Sequence, residues 1–222
     1  MKEMVSEWIK NLRIEGKPDE WESKNLLKMM GLNVEVGRRI MAGESVNPDV
    51  FEFPLVLKVC DPDILHKTES GGVKLNVKRE NFAEAVRELR MIFPSSPLLA
   101  APMCNILGPE FILGGMVDPV FGPAVMVGAG GVLTEIYEDA VFRLCPCSKG
   151  EAVRMLNELQ IAPVLKGYRG STLNMDELAD EVSRVSELFD AFDGRLNQID
   201  INPMVYTGEN WTALDCVLVL NT

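Results

Sequence analysis

The closing stretch Gln198-I-D-I-N-P-M-V-Y206, T-G-E-N, Trp211-T-A-L-D-C-V-L-V219 admits few structures. Two runs rich in β-formers flank a short polar turn bearing a glycine, which reads as a β-hairpin. Along the first run Ile199 and Ile201 alternate with Asp200 and Asn202, so one face is apolar and the other polar. Side-chain period two makes register matter, since a one-residue slip would turn every carboxylate into the core. If the turn is symmetric, opposed residues have numbers adding to 417, which sets Asn202 against Asp215. Directly opposed Cβ atoms lie about 5 Å apart, and an amide oxygen with a carboxylate at that separation can hold Mg²⁺. The plainer alternative is an exposed polar face at a sheet edge.

Upstream, Glu20-W-E-S-K-N-L-L-K-M-M30 has helical spacing and stops at Gly31, followed by a strand expected at Asn33-V-E-V-G37. Pro54-L-V-L-K-V-C60 and Gly72-V-K-L-N-V-K78 are expected to pair across the intervening D-P-D-I-L-H-K-T-E-S-G segment. Asn81 to Ile92 carries Phe82, Ala85, Val86, Leu89 and Ile92 on one helical face, and Leu98 to Met103 returns to strand. Strands follow at Glu110 to Val117, Ala124 to Gly131 and Ala140 to Leu144, then helices at about 148–159 and 175–192 before the hairpin. Strands and helices mixed in this order make an α+β chain of two lobes, 1–103 with the leading helices and 104–222, with a seam between Pro102 and Gly108.

Composition narrows the partners. A net charge of −11 opposes binding to nucleic acid or an anionic membrane, both of which call for clustered Lys and Arg. The start MKEMVSEWIK places Glu3 and Glu7 where a signal peptide needs an apolar core, and the longest apolar run, Pro123 to Leu133, is too short to span a bilayer. A soluble, cytoplasmic protein is the expectation. Five scattered cysteines, Cys60, Cys104, Cys145, Cys147 and Cys216, argue against a disulfide framework and read as buried small hydrophobes.

Two further groups stand out. Lys58 sits in an apolar strand, and an ammonium there either reaches out from an edge or points into a cleft toward an anion. Thr68, Ser70, Gly71 and Gly72 offer hydroxyls and backbone N–H groups that could wrap phosphate oxygens, with Lys67 and Lys74 nearby, although a plain β-turn has the same composition. A strand lysine, a glycine flap and a carboxyl–amide hairpin are parts suited to a nucleoside triphosphate, whose chemistry depends on charge neutralisation and positioning. His66, the single histidine, lies in the flap.

The stretches I-L-H-K-T-E-S-G-G-V-K-L, D-P-V-F-G-P-A-V-M-V-G-A-G-G, F-R-L, L-K-G-Y-R-G and D-I-N-P-M, in this order between Trp21 and Val219, resemble the ATP-grasp fold, and more narrowly the β subunits of ADP-forming acetyl-CoA synthetases. The resemblance implies two α/β lobes with ATP or ADP bound between them, and Mg²⁺ as cofactor. It implies that Lys58, Gly71, Gly72 and Glu110 contact the nucleotide, that Asn202 and Asp215 ligate Mg²⁺, and that Asp200 steadies an arriving phosphohistidine. His66 matches a histidine that relays the phosphoryl group to ADP. Arg143 would support the phosphates, or else form a structural ion pair. The family's partner is an α subunit that carries the CoA-binding domain and a phosphorylatable histidine, so this chain alone is not expected to complete the reaction. A regulatory nucleotide-binding module, or a ligase subunit for another acid such as succinate, are the rival readings.

Overall fold

A computed structural model describes residues 2–64, 67–131, 138–170 and 173–221. It divides into two compact units, Asp19–Glu22 with Glu35–Cys104, and Met1–Pro18 with Ser23–Val34 and Asn105–Thr222. The change at Cys104/Asn105 falls inside the stretch between Pro102 and Gly108. Most of the leading residues, however, group with the C-terminal unit and not with 1–103.

The smaller unit is a four-stranded antiparallel sheet in the order β1-β4-β2-β3, with β1 Arg38–Ile40, β2 Leu55–Val59, β3 Val73–Val77 and β4 Leu98–Pro102. Helix Phe82–Ile92 covers one face, packing Phe82, Ala85 and Leu89 against Ile40, Leu55, Leu57, Val77 and Leu98. In β2, Leu55, Leu57 and Val59 are buried while Val56 and Lys58 are half-buried, so the lysine stands on the face away from that helix. The strand expected at Asn33 to Gly37 is reduced to one isolated bridge, Val34 with Ala213, and the sheet begins at Arg38. Gly37 has φ +67°, and a Cβ there would meet the Ala100 carbonyl oxygen at 2.6 Å, so the chain turns where a strand would have to continue.

The larger unit holds a six-stranded sheet in the order β10-β8-β5-β6-β7, with β9 paired to β8. Its strands are β5 Leu107–Asp118, β6 Gly122–Ala129, β7 Ala140–Leu144, β8 Leu196–Tyr206, β9 Trp211–Ala213 and β10 Cys216–Leu220. The long helix Met175–Phe192 lies on one face, Asn174 capping it by accepting from the Glu177 N–H. Contact is close, since a Cβ on Gly115 would come within 2.7 Å of the Phe189 ring. Helix Lys2–Lys10, which the periodicity did not single out, adds Val5 and Trp8 to this core, Trp8 meeting Phe192 edge-on at 6.0 Å. The last expected strand is interrupted at Leu214 and Asp215, giving β9 and β10. Of the cysteines, Cys60, Cys147 and Cys216 are buried, but Cys104 and Cys145 only half so. No helix among the described residues is long and apolar enough to cross a membrane.

Candidate nucleotide and metal site

The hairpin register holds. Tyr206 pairs with Trp211, Val205 with Thr212, Met204 with Ala213, then Ile201 with Cys216 and Asp200 with Val217, every pair adding to 417. Between them both strands loosen together. The Asn202 N–H donates to the Asp215 carbonyl at 3.3 Å and the Leu214 N–H to that of Pro203 at 3.0 Å. Asn202 thus stands opposite Asp215, with Asp200 two residues away on the same strand. Ile199 and Ile201 are buried beneath, Asp200 and Asp215 are half-buried, and Asn202 is exposed. Burial first, and the negative charge of Asp215 second, push the Asp200 carboxyl above the usual carboxylate range.

The Asp215 carboxylate beside the Asn202 amide oxygen forms a hard-oxygen donor pair, and a divalent cation there would relieve the repulsion between Asp215 and Asp200. Among the described residues no three or more His, Cys, Asp or Glu form a metal cage. One acid and one amide, Asp215 and Asn202, suit an ion that completes its shell with water and phosphate, as Mg²⁺ does. The residues present fit it.

The pairings distribute the other residues over the sheet's two faces. Asp200 faces Gly114, which in turn faces Met126 and then Phe142. Along β5, Glu110, Ile112 and Gly114 alternate with buried Phe111 and Leu113, so Glu110 shares the open face with Asp200. Its carbonyl accepts the Gly130 N–H at 2.7 Å, tying it to the glycine run that ends β6. Arg143 belongs to the adjacent row, opposite Val125, and stands on the helix-covered face. There its Nε donates to Glu151 at 2.7 Å, and a terminal nitrogen to Glu158, both on helix Lys149–Glu158. Of the two readings open for Arg143, the ion pair is the one formed. The guanidinium is committed to the helix and lies across the sheet from the carboxylates.

In the smaller unit the Lys58 Nζ lies 2.9 Å from Glu20 Oε1, and the Lys67 Nζ 2.5 Å from Glu20 Oε2. The Glu20 side chain is 1% exposed, so one buried carboxylate joins two ammonium groups. Lys58 thus points at an anion, as its burial demands, but the anion found here belongs to the chain itself. Glu20 is brought in by Asp19 and Glu22. The Glu22 N–H donates to Asp19 Oδ1 and the Asp19 N–H to Glu22 Oε2, each at 2.9 Å, while Arg39 binds Asp19 at 2.8 Å and stacks on Trp21. Sequence reading passed over Glu20, although the spacing D19-E-W-E22 is a capping-box signature.

The flap glycines behave differently from the expected phosphate wrap. The Gly71 N–H donates to the Thr68 carbonyl at 3.1 Å and the Gly72 N–H to that of Lys67 at 2.7 Å, closing the turn on itself. Gly71 has φ +73°, and a Cβ on Gly72 would meet Val59 at 2.5 Å. These glycines shape the turn and are not spare donors. His66 lies outside the described residues.

A family model described as "ATP-grasp domain" matches residues 14–220. This chain belongs to the ATP-grasp family. Among its relatives, this ATP-grasp chain is 34% identical to the β subunit of an ADP-forming acetate–CoA ligase I from Pyrococcus furiosus, over 96% of the chain and 97% of the relative. A solved protein of Pyrococcus horikoshii aligns with a TM-score of 0.83 and 31% identity, covering 100% of this chain and 99% of the other. A dinucleotide-forming acetyl-coenzyme A synthetase 1 of Ca. Korarchaeum cryptofilum, solved with coenzyme A and Mg-AMPPCP, aligns with a TM-score of 0.76 and 30% identity over 93% and 94% of the two chains. Nucleotide binding is a property of the ATP-grasp family to which this chain belongs.

Proposed function

We propose that this chain is the nucleotide-handling β subunit of an ADP-forming acetate–CoA ligase, which catalyses acyl-CoA + ADP + phosphate ⇌ carboxylic acid + ATP + CoA. The observation that carries this reading is the Asp200, Asn202 and Asp215 group on one open sheet face, in a chain that matches a ligase β subunit almost from end to end. Mg²⁺, when bound, would neutralise phosphate charge and fix the orientation of the diphosphate. Asn202 and Asp215 would hold it.

The chain's own groups divide the remaining work. Lys58 binds nucleotide phosphate and Glu110 contacts the nucleotide, while Gly71 and Gly72 give the flap its tight turn. Asp200, its proton affinity raised, can hold an imidazole N–H and so steady the phosphohistidine delivered by a partner. That partner is an α subunit with the CoA-binding domain and a phosphorylatable histidine, in a heterotetramer. The Ca. Korarchaeum cryptofilum relative supports this, since its phosphohistidine segment points towards its nucleotide-binding site. His66 takes the phosphoryl group by forming a new N–P bond as the partner's N–P bond breaks. It then surrenders that group to a terminal oxygen of ADP, regenerating neutral imidazole.

Calorimetry of ADP binding with and without Mg²⁺, on the wild type and on Asp215→Ala, tests the reading. Mg²⁺-dependent binding that falls about a hundredfold in the variant is expected, from the loss of a charged ligand. Equal affinity with and without Mg²⁺ would reject the metal assignment. Mg²⁺-dependent binding without acyl-CoA turnover, when the α subunit is supplied, would make the chain a regulatory module.

A further inference from the structure

The Lys58–Glu20–Lys67 group joins three charged side chains of the smaller unit. Lys58 and Lys67 are 12% and 9% exposed, and both reach the same carboxylate, one oxygen each. Lys67 lies at the head of the flap turn, where its carbonyl accepts both the Gly72 N–H and the Ser70 hydroxyl. Lys58 is in β2 beside the flap's return strand, paired with Val73. Two lysines from the two sides of one hairpin therefore converge on one negative group. An ammonium in such surroundings is costly to bury without an anion.

We propose that Glu20 is an internal stand-in for nucleotide phosphate, and that Lys67 is a second phosphate-binding lysine beside Lys58. The proposal rests on the assignment of Lys58 to the nucleotide phosphates. A carboxylate and a phosphoryl oxygen make the same charge-assisted bond to an ammonium. While the nucleotide is absent, Glu20 holds both lysine heads in place. When ADP arrives, its phosphates share or take over those heads. The two anions compete for one pair of cations, so by linkage each weakens the hold of the other.

This fixes the sign of the outcome. Glu20→Gln keeps the shape and removes the charge, which destabilises the nucleotide-free chain more than the ADP-bound one. The variant should melt lower than wild type without ligand, bind ADP about tenfold more tightly, and gain more melting temperature from saturating ADP. Lys67→Met leaves Glu20 paired with Lys58 and should fold. It should bind ADP about tenfold more weakly, with adenosine, which has no phosphate, bound as before. Calorimetry with ADP and with adenosine on the full-length wild type, Glu20→Gln, Lys67→Met and Lys58→Met separates the possibilities. If Lys58→Met loses ADP while Lys67→Met keeps it and Glu20→Gln does not tighten it, the stand-in is rejected and the group is structural. If Lys58→Met also binds ADP like wild type, or the wild type does not bind it, the parent assignment falls and this one with it. Should Glu20→Gln fail to fold, the Lys67→Met contrast between ADP and adenosine decides alone.

Discussion

Glu181 is fully buried in the long helix, and its Oε2 has no hydrogen-bond partner among the described residues. Burial pushes its carboxyl up to about 7, the neighbouring Arg184 opposing the shift and Glu177 and Asp180 adding to it. Because the folded value lies above the ordinary one, the protonated form is favoured by folding. Its stabilisation is complete below about pH 4.5 and is lost as pH rises through about 7. Glu181→Gln carries a neutral side chain of the same shape at every pH. The variant should therefore exceed wild type by about 1–3 kcal/mol at pH 8 and match it near pH 4. Urea unfolding at the two pH values measures this. A stability difference that does not change with pH would mean that Glu181 stays charged in the fold.

At the level of elements, β7 is fastened to helix Lys149–Glu158 by Arg143, whose two carboxylate partners are each at least 30% exposed. Such a partly exposed network is worth about 1 kcal/mol. Arg143→Ala should lower the urea midpoint accordingly without changing ADP affinity. A selective loss of ADP affinity at unchanged stability would return Arg143 to the phosphates. Residue type at Arg143 could not distinguish these roles, but strand parity could, because it stands one residue out of step with the Asp200 row. The Asn202–Asp215 opposition was legible for the same reason. Alternation and a four-residue turn fix register locally, and local rules are what a sequence displays. The hydrogen-bonding of the flap glycines was hidden, since free and turn-closing N–H groups have the same composition. Glu20 was hidden by distance along the chain, 38 residues from Lys58, with nothing in either segment naming the other. The Asn33 to Gly37 strand failed because local β-pattern was outvoted by Gly37, whose backbone sits against Ala100.

For the whole molecule, the proposed chemistry is a relay of which this chain would hold one end. Relaying a phosphoryl group through this chain, from a partner to ADP, calls for a nucleophile that both accepts and releases it near neutral pH, and neutral imidazole does so. The sequence has one histidine, His66, so the relay stands or falls at a single position. With the α subunit, acyl-CoA and radiolabelled phosphate present, His66→Ala should still allow the partner's histidine to be labelled, because that step does not involve this chain's imidazole. ADP should still bind within about twofold of wild type, since no binding role is assigned to His66. ATP formation should fall by at least about a thousandfold, the usual scale for losing a nucleophile with no substitute. Label would then accumulate on the partner and stop there. If instead ATP forms at the wild-type rate, the phosphoryl group passes directly from the partner's histidine to ADP, and the role left to this chain in the transfer is the steadying one proposed for Asp200. Asp200→Asn in the same assay would then slow ATP formation while ADP binding stayed intact.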